Sequence, residues 1–329
     1  MNRISRIVSA CAFAVGLAGC AGTEEVTRFP TQPVKIVVPY PAGNATDVVG
    51  RIVAEKLSQL WGQPVSIENR SGIPAVDGVA KSKPDGYTLL AHSISYAVDA
   101  GLYTNLPYDP EKDIVAVAPF ARQPFALVAS PTLGAKNVAD LVAKAKAGQF
   151  KFASLGPTSQ LYFIAEQFKK KTGFNASNVT YKSLAEGNGA VAKGDVAFWF
   201  PPVAGAVAGV REGKLVALAV TGEKRSAMLP QVPTIAEAGV RDMENSAWFG
   251  LWAPAGVPGG IVDKISSDVE RALASPDVRE KLAKLGAEPM SMTPSQFGRF
   301  VRGETASSKR LTAELGIQPR RISDDEIVH

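Results

Sequence analysis

Apolar residues fall along the chain in two alternating rhythms. Short unbroken runs, Val34–Val38, Thr88–Ala91, Phe125–Ala129, Phe150–Ser154, Val196–Phe200 and Leu215–Val220, are bounded by turn residues and predict buried strands. Between several of them the apolar positions repeat at helical spacing. Val48, Val49, Ile52, Val53, Leu57 and Leu60 share one face, as do Val138, Leu141, Val142 and Ala145, and again Ile261, Ile265, Val269 and Leu273. Strands that alternate with helices predict an α/β fold, with each domain a mostly parallel sheet flanked by helices. Turn signals at Pro84-Asp85-Gly86, Asn105 to Pro110 and Pro254 to Pro258 punctuate the series. The tail from Pro319 to His329 is polar and is expected to fray.

One of these junctions carries candidate chemistry. Val37 to Arg51 reads VVPYPAGNATDVVGR, in which an apolar strand, a Pro/Gly turn and an Asn-x-Thr-Asp helix opening stand end to end. Ligands of parallel sheets collect beyond the carboxyl ends of the strands, where this turn lies. Gly43 permits a left-handed backbone angle and Asn44 tolerates one. With Asn44 or Thr46 as N-cap, backbone N–H groups would point out of the turn toward a carboxylate or phosphate. A plain capped strand-to-helix connection reads the same way. Neither a Gly-x-Gly-x-x-Gly nor a Walker pattern is present, which disfavours a nucleotide.

Length and charge narrow the classes. A chain of 329 residues exceeds one compact core and is expected to form two domains. Residues 1–19 carry Arg3 and Arg6, an apolar core and then Leu17-Ala18-Gly19-Cys20, the architecture of a secretory signal peptide. The last four residues resemble a bacterial lipobox, which makes Cys20 a lipidation site; a cut after Ala21 is the alternative. Cys11 would leave with the signal, so no disulfide or cysteine metal site is expected. The formal charge of +5 is mild, and the longest basic run, Lys169-Lys170-Lys171, closes a helical pattern, so nucleic acid is not an expected partner. Of the two histidines, His92 is internal and His329 terminal. Strand alternation would part His92 from Ser93, and neither a Gly-x-Ser-x-Gly elbow nor a His-x-x-x-His set exists. No enzyme, cofactor or metal is expected.

The chain resembles the substrate-binding proteins of tripartite tricarboxylate transporters, the Bug receptors, from about Phe29 to Pro319. The resemblance rests on Val37 to Gly43 with Thr46-Asp47, on Val65 to Arg70 (VSIENR), Lys83 to Leu90 (KPDGYTLL) and Leu102 to Pro110 (LYTNLPYDP). It continues through Leu218 to Gly222 (LAVTG) with Arg225, Leu229 to Gly239 (LPQVPTIAEAG) and Trp248 to Pro254 (WFGLWAP). It implies a Venus-flytrap receptor, with residues 28–128 and 251–329 forming one domain and 129–250 the other. Hinges would lie near Ala129 and Ser246, and an organic acid in the cleft would be held by two loops. The first loop would contribute Tyr40, Ala42, Gly43, Asn44, Ala45, Thr46 and Asp47, with Ser93 nearby. The second would contribute Gly156, Thr158, Ser159, Gln160 and Tyr162, with Pro201 beyond a neighbouring strand.

Two departures from the family pattern stand out. Tyr162 occupies the place of a later His, and Pro157 removes a backbone donor. Pro201-Pro202 replaces an Asp that commonly follows the strand, so Trp199 and Phe200 suggest either a flatter, less polar ligand or plain core packing. The implied protein is a periplasmic, lipid-anchored monomer that binds a small carboxylate. It delivers this to inner-membrane permease subunits or, alternatively, presents it to a sensor kinase.

Overall fold

The computed structural model describes residues 28–156 and 159–323. The expected signal peptide, Cys20, Pro157, Thr158 and the last residues of the tail lie outside the described residues.

Two sheets organise the chain. The elements of the first, in chain order, are β1 (Val34–Val38), α1 (Ala45–Trp61), β2 (Val65–Asn69), α2 (Gly72–Ala80), β3 (Thr88–Ser93), α3 (Ser95–Leu102) and β4 (Ile114–Pro124). The second is built from β5 (Ala126–Ala129), α4 (Val138–Ala147), β6 (Phe150–Ser154), α5 (Gln160–Thr172), β7 (Ala176–Thr180), α6 (Leu184–Lys193), β8 (Phe198–Trp199), α7 (Val203–Arg211) and β9 (Val216–Val220). The chain then returns to the first with β10 (Ser246–Pro254), α8 (Gly259–Ala274), α9 (Pro276–Lys284), β11 (Glu288–Pro289) and α10 (Pro294–Glu314). Strand order is β11-β4-β10-β3-β1-β2 in the six-stranded sheet and β7-β6-β8-β5-β9 in the five-stranded one.

Parallel pairing holds at β2-β1-β3 and β7-β6-β8, where helices connect the strands. Strands β10, β11 and β5 pair antiparallel, so both sheets are mixed. Each is covered on both faces, which is why its strands read as unbroken apolar runs. Neighbouring positions of β1 show the division: Ile36 packs with Val53, Leu57, Leu89 and Ile265 on one face of the first sheet, and Val37 with Val76, Leu90, Trp252 and Phe297 on the other. The second sheet likewise packs Phe152, Phe168 and Phe198 on one face and Val128, Val191 and Trp199 on the other.

The chain changes sheets between Pro124 and Ala126 and again just before Ser246. These places precede the expected boundaries at 129 and 250. The half-buried polar pair Arg122-Gln123 and then Pro124 break the apolar run just before Phe125, so the crossing lies at the start of the Phe125–Ala129 run and not at its end. The tail is also less free than expected as far as Ser323. Arg320 N–H donates to Leu102 O at 2.9 Å, Thr104 N–H to Arg320 O at 3.1 Å, and Ile322 N–H to Asn105 Oδ1 at 2.7 Å.

Candidate ligand-binding site

The turn after β1 is built around Asp47. Gly43 has φ +85°, the left-handed region in which glycine is unstrained. Asn44 caps α1, its side chain accepting from Thr46 N–H at 2.9 Å. Asp47, in the first turn of the helix, accepts from Gly43 N–H at 2.8 Å, from Arg51 Nε at 3.0 Å and from Asn69 Nδ2 at 2.8 Å. Asn69 also donates to Tyr40 O at 3.0 Å, so the end of β2 ties both limbs of the turn together. Burial alone would raise the Asp47 pKa, but the hydrogen bonds from Arg51, Gly43 and Asn69 outweigh it and hold the carboxyl below its ordinary range.

This arrangement moves the available donors from where the sequence suggested. Gly43 N–H is spent on Asp47, Asn44 N–H donates to Pro41 O at 3.2 Å, and Thr46 N–H serves its own cap. Among the described residues, the N–H groups of Ala42, Ala45 and Asp47 have no partner. The last two belong to the first turn of α1, whose unpaired donors carry the positive end of the helix dipole. Asn44 is thus a cap, and Gly43 shapes the turn.

Behind the turn, the Tyr40 hydroxyl lies 3.0 Å from Ser93 Oγ and 3.2 Å from His92 Nδ1. His92 and Ser93 therefore converge on one atom, because β3 ends at Ser93 and alternation ceases there. Ser93 N–H donates to His92 Nδ1 at 2.9 Å, which places the imidazole proton on Nε2. Burial pushes the His92 pKa down to about 3 and the Tyr40 pKa up to about 12. Both groups stay neutral at physiological pH. They brace the turn from beneath and supply no general base.

The second loop follows β6. Gly156 has φ +115°, and its N–H donates to Ser154 Oγ at 3.0 Å. Ser159 caps α5 through Tyr162 N–H and donates its hydroxyl to Gly156 O at 2.7 Å. The Tyr162 ring sits 6.0 Å from that of Phe152, against the second sheet's core. Gln160 turns to the crossing, donating to Asn245 Oδ1 at 2.9 Å and Ser246 O at 3.3 Å. Pro201 is buried and accepts from Ala126 N–H at 2.9 Å, which joins β8 to β5. Trp199 and Phe200 are fully buried, and a Cβ on Gly187 would come within 2.5 Å of the Trp199 ring. That places both aromatics in the core and removes the flat-ligand reading drawn from them.

The structure thus gathers Tyr40, Ala42 to Asp47 and Ser93 at the carboxyl ends of β1 and β3, and Gly156, Ser159, Gln160 and Tyr162 beyond β6. Sequence reasoning missed Arg51 and Asn69. Asn69 closes the quoted VSIEN stretch at the end of a strand beside β1, which is where such a group was findable. Among the described residues, no group of three His, Cys, Asp or Glu side chains could hold a metal, and no helix is long and apolar enough to cross a membrane.

Comparison with known proteins adds a second line of observation. The family described as Tripartite tricarboxylate transporter family receptor matches residues 49–317. Protein BugT of Bordetella pertussis is 33% identical over 320 residues, covering 95% of this chain and 98% of its own. A UPF0065 protein of Cupriavidus necator is 33% identical over 322 residues, 94% and 95% of the two chains. An adipate-bound structure from R. palustris superposes with a TM-score of 0.75 at 33% identity, covering 89% of this chain and 100% of that one. Malate-bound MatC from Rhodopseudomonas palustris superposes at 0.68 with 29% identity, covering 86% and 99%.

Proposed function

The chain belongs to the tripartite tricarboxylate transporter receptor family, whose members are periplasmic solute-binding proteins and not enzymes, and from that premise we propose that it captures a small organic acid between its two lobes and delivers it to an inner-membrane permease. The observation that carries the ligand class is the trio of unpartnered N–H groups at Ala42, Ala45 and Asp47, presented by a turn whose own polar groups are already satisfied. A carboxylate placed there gains charge-assisted hydrogen bonds without displacing internal ones. The bound acids of the adipate- and malate-complexed relatives support the same class.

Closure supplies the mechanism. An acid that touches both lobes stabilises the closed arrangement over the open one by the difference in contacts, and the crossings near Phe125 and Asn245 absorb the rotation. In this reading the second contact set comes from Gly156, Thr158 and Ser159 beyond β6. The protein acts as a monomer held at the membrane by lipid on Cys20.

The test is a thermal-shift screen of organic acids followed by titration of Ala45→Pro. Proline at the first helical position costs the helix nothing, since Asn44 has φ −64° and ψ 156°, compatible with a following proline, yet it deletes the Ala45 N–H. Acid affinity should fall about tenfold, the weight of one charge-assisted hydrogen bond, while the melting temperature holds. Unchanged affinity would remove this turn from the binding site. A screen in which neutral solutes shift the melting temperature and no acid does would overturn the ligand class.

A further inference from the structure

Gln160 stands at the first position of α5, beside the second candidate loop, where a polar side chain reads as a ligand contact. Its amide faces elsewhere. Nε2 forks between Asn245 Oδ1 at 2.9 Å and Ser246 O at 3.3 Å, bridging the second lobe to the first residue of β10 in the first. Asn245 is in turn bound through its backbone. Its N–H donates to Thr221 O at 2.9 Å, and its carbonyl accepts the Thr221 hydroxyl at 2.5 Å. Thr221, fully buried at the end of β9, also takes Phe125 N–H on its Oγ1 at 2.9 Å and donates its own N–H to Phe125 O at 2.8 Å.

One continuous set of hydrogen bonds therefore runs from the start of α5 through the second crossing to the first. We propose that Gln160 is a positioning residue that couples the loop beyond β6 to the hinge through Asn245, and that it does not touch the ligand. The proposal rests on the acid-binding reading above. Its physical content is that Ser246 moves with the first lobe while Gln160 moves with the second. Rotation about the crossings changes the fork's reach, and a ligand that contacts Gly156 or Ser159 biases the rotation through it. The loop and hinge share a two-ended polar link that a packing contact alone would not give.

The test uses the full chain and four variants. Gln160→Leu and Asn245→Leu should each weaken binding of the acid selected by the screen about tenfold, and the double variant should cost no more than either single one. Asn245→Asp keeps an acceptor for Nε2 and should restore most of the affinity. If Gln160 contacts the acid directly, Asn245→Leu will bind normally and the proposal fails. A second measurement needs no ligand. Hydrogen exchange at the amide of Asn245 and in the first turn of α5 should quicken together in Gln160→Leu, whereas unchanged exchange at Asn245 overturns the coupling. A wild-type chain that binds no acid, with the quickened exchange still seen in Gln160→Leu, would refute the acid-binding reading and leave the link standing.

Discussion

Replacing Asp47 with Ala tests whether the turn after β1 is held by its side-chain knot. The substitution removes a side chain only 3% exposed, and with it the acceptor for three donors: Gly43 N–H, the Arg51 guanidinium and Asn69 Nδ2. Losing one partner of a buried ion pair costs about 3–5 kcal/mol as an upper bound. Arg51 is half exposed, however, and can rehydrate, and Asn69 keeps its bond to Tyr40 O. About 2–3 kcal/mol is the resulting expectation, close to one or two charged hydrogen bonds. The pH dependence supplies the sharper check. The folded pKa lies below the ordinary 3.8, so the unfolded chain takes up the proton first as the solution is acidified. The stabilisation is complete above the ordinary value and is lost as pH falls through the folded one. Urea unfolding of wild type and Asp47→Ala at steps from neutral to strongly acidic pH should show a gap that narrows below about pH 4. A gap that stays constant throughout, or one under about 0.5 kcal/mol at pH 7, would refute the reasoning, since the latter is what an ordinary surface substitution costs. Acid affinity should fall less than stability, because the backbone donors of Ala45 and of residue 47 remain.

Three further outcomes follow from the same geometry. Thr221→Val keeps the volume but strands Phe125 N–H and Asn245 O in a buried crossing, so unfolding free energy should drop by about 2–4 kcal/mol, against about 1 for Thr221→Ser, and equal losses would show that the hydroxyl contributes nothing. His92 takes no proton until about pH 3 when folded but near 6.5 when unfolded, so wild type should lose up to about 1.4 kcal/mol per unit as pH falls below 6.5; His92→Gln should lack that component, and superimposable pH profiles would contradict a neutral buried imidazole. Labelled palmitate should enter the wild-type chain and not Cys20→Ser in a bacterial host, and equal labelling of both would end the lipoprotein proposal.

What the sequence made legible was local. Unbroken apolar runs located β1, β6 and β9, helical spacing located α1, α4 and α8, and the Asn-x-Thr-Asp opening marked the cap at Asn44. These features depend on neighbours within a few positions. The knot at Asp47 depends on Asn69, 22 residues away, and the fork at Gln160 on Asn245, 85 residues away. A polar residue beside a loop has the same local signature whether it faces a ligand or a hinge, so Gln160 could not be sorted from its sequence position. The crossing at Phe125 left only a local trace, the break Arg122-Gln123-Pro124 between two apolar runs, and such a break has the same signature whether the next strand joins the same sheet or another.

A carboxylate in the first turn of α1 would, taken alone, repel the anion that the turn is proposed to bind, and the geometry answers that objection. Both Asp47 oxygens are turned inward, one to Gly43 N–H and Arg51 Nε, the other to Asn69 and, at 2.9 Å, Arg51 Nη2. The Arg51 charge balances the Asp47 charge at contact distance, and such a pair falls off as a dipole. The N–H groups of Ala42, Ala45 and Asp47 carry no such compensation. In the proposed site an incoming acid therefore meets the positive end of the helix dipole. On the proposed reading the acidic residue does not compete with the ligand; it consumes the donor of Gly43 to hold the turn in the shape that leaves the other three free.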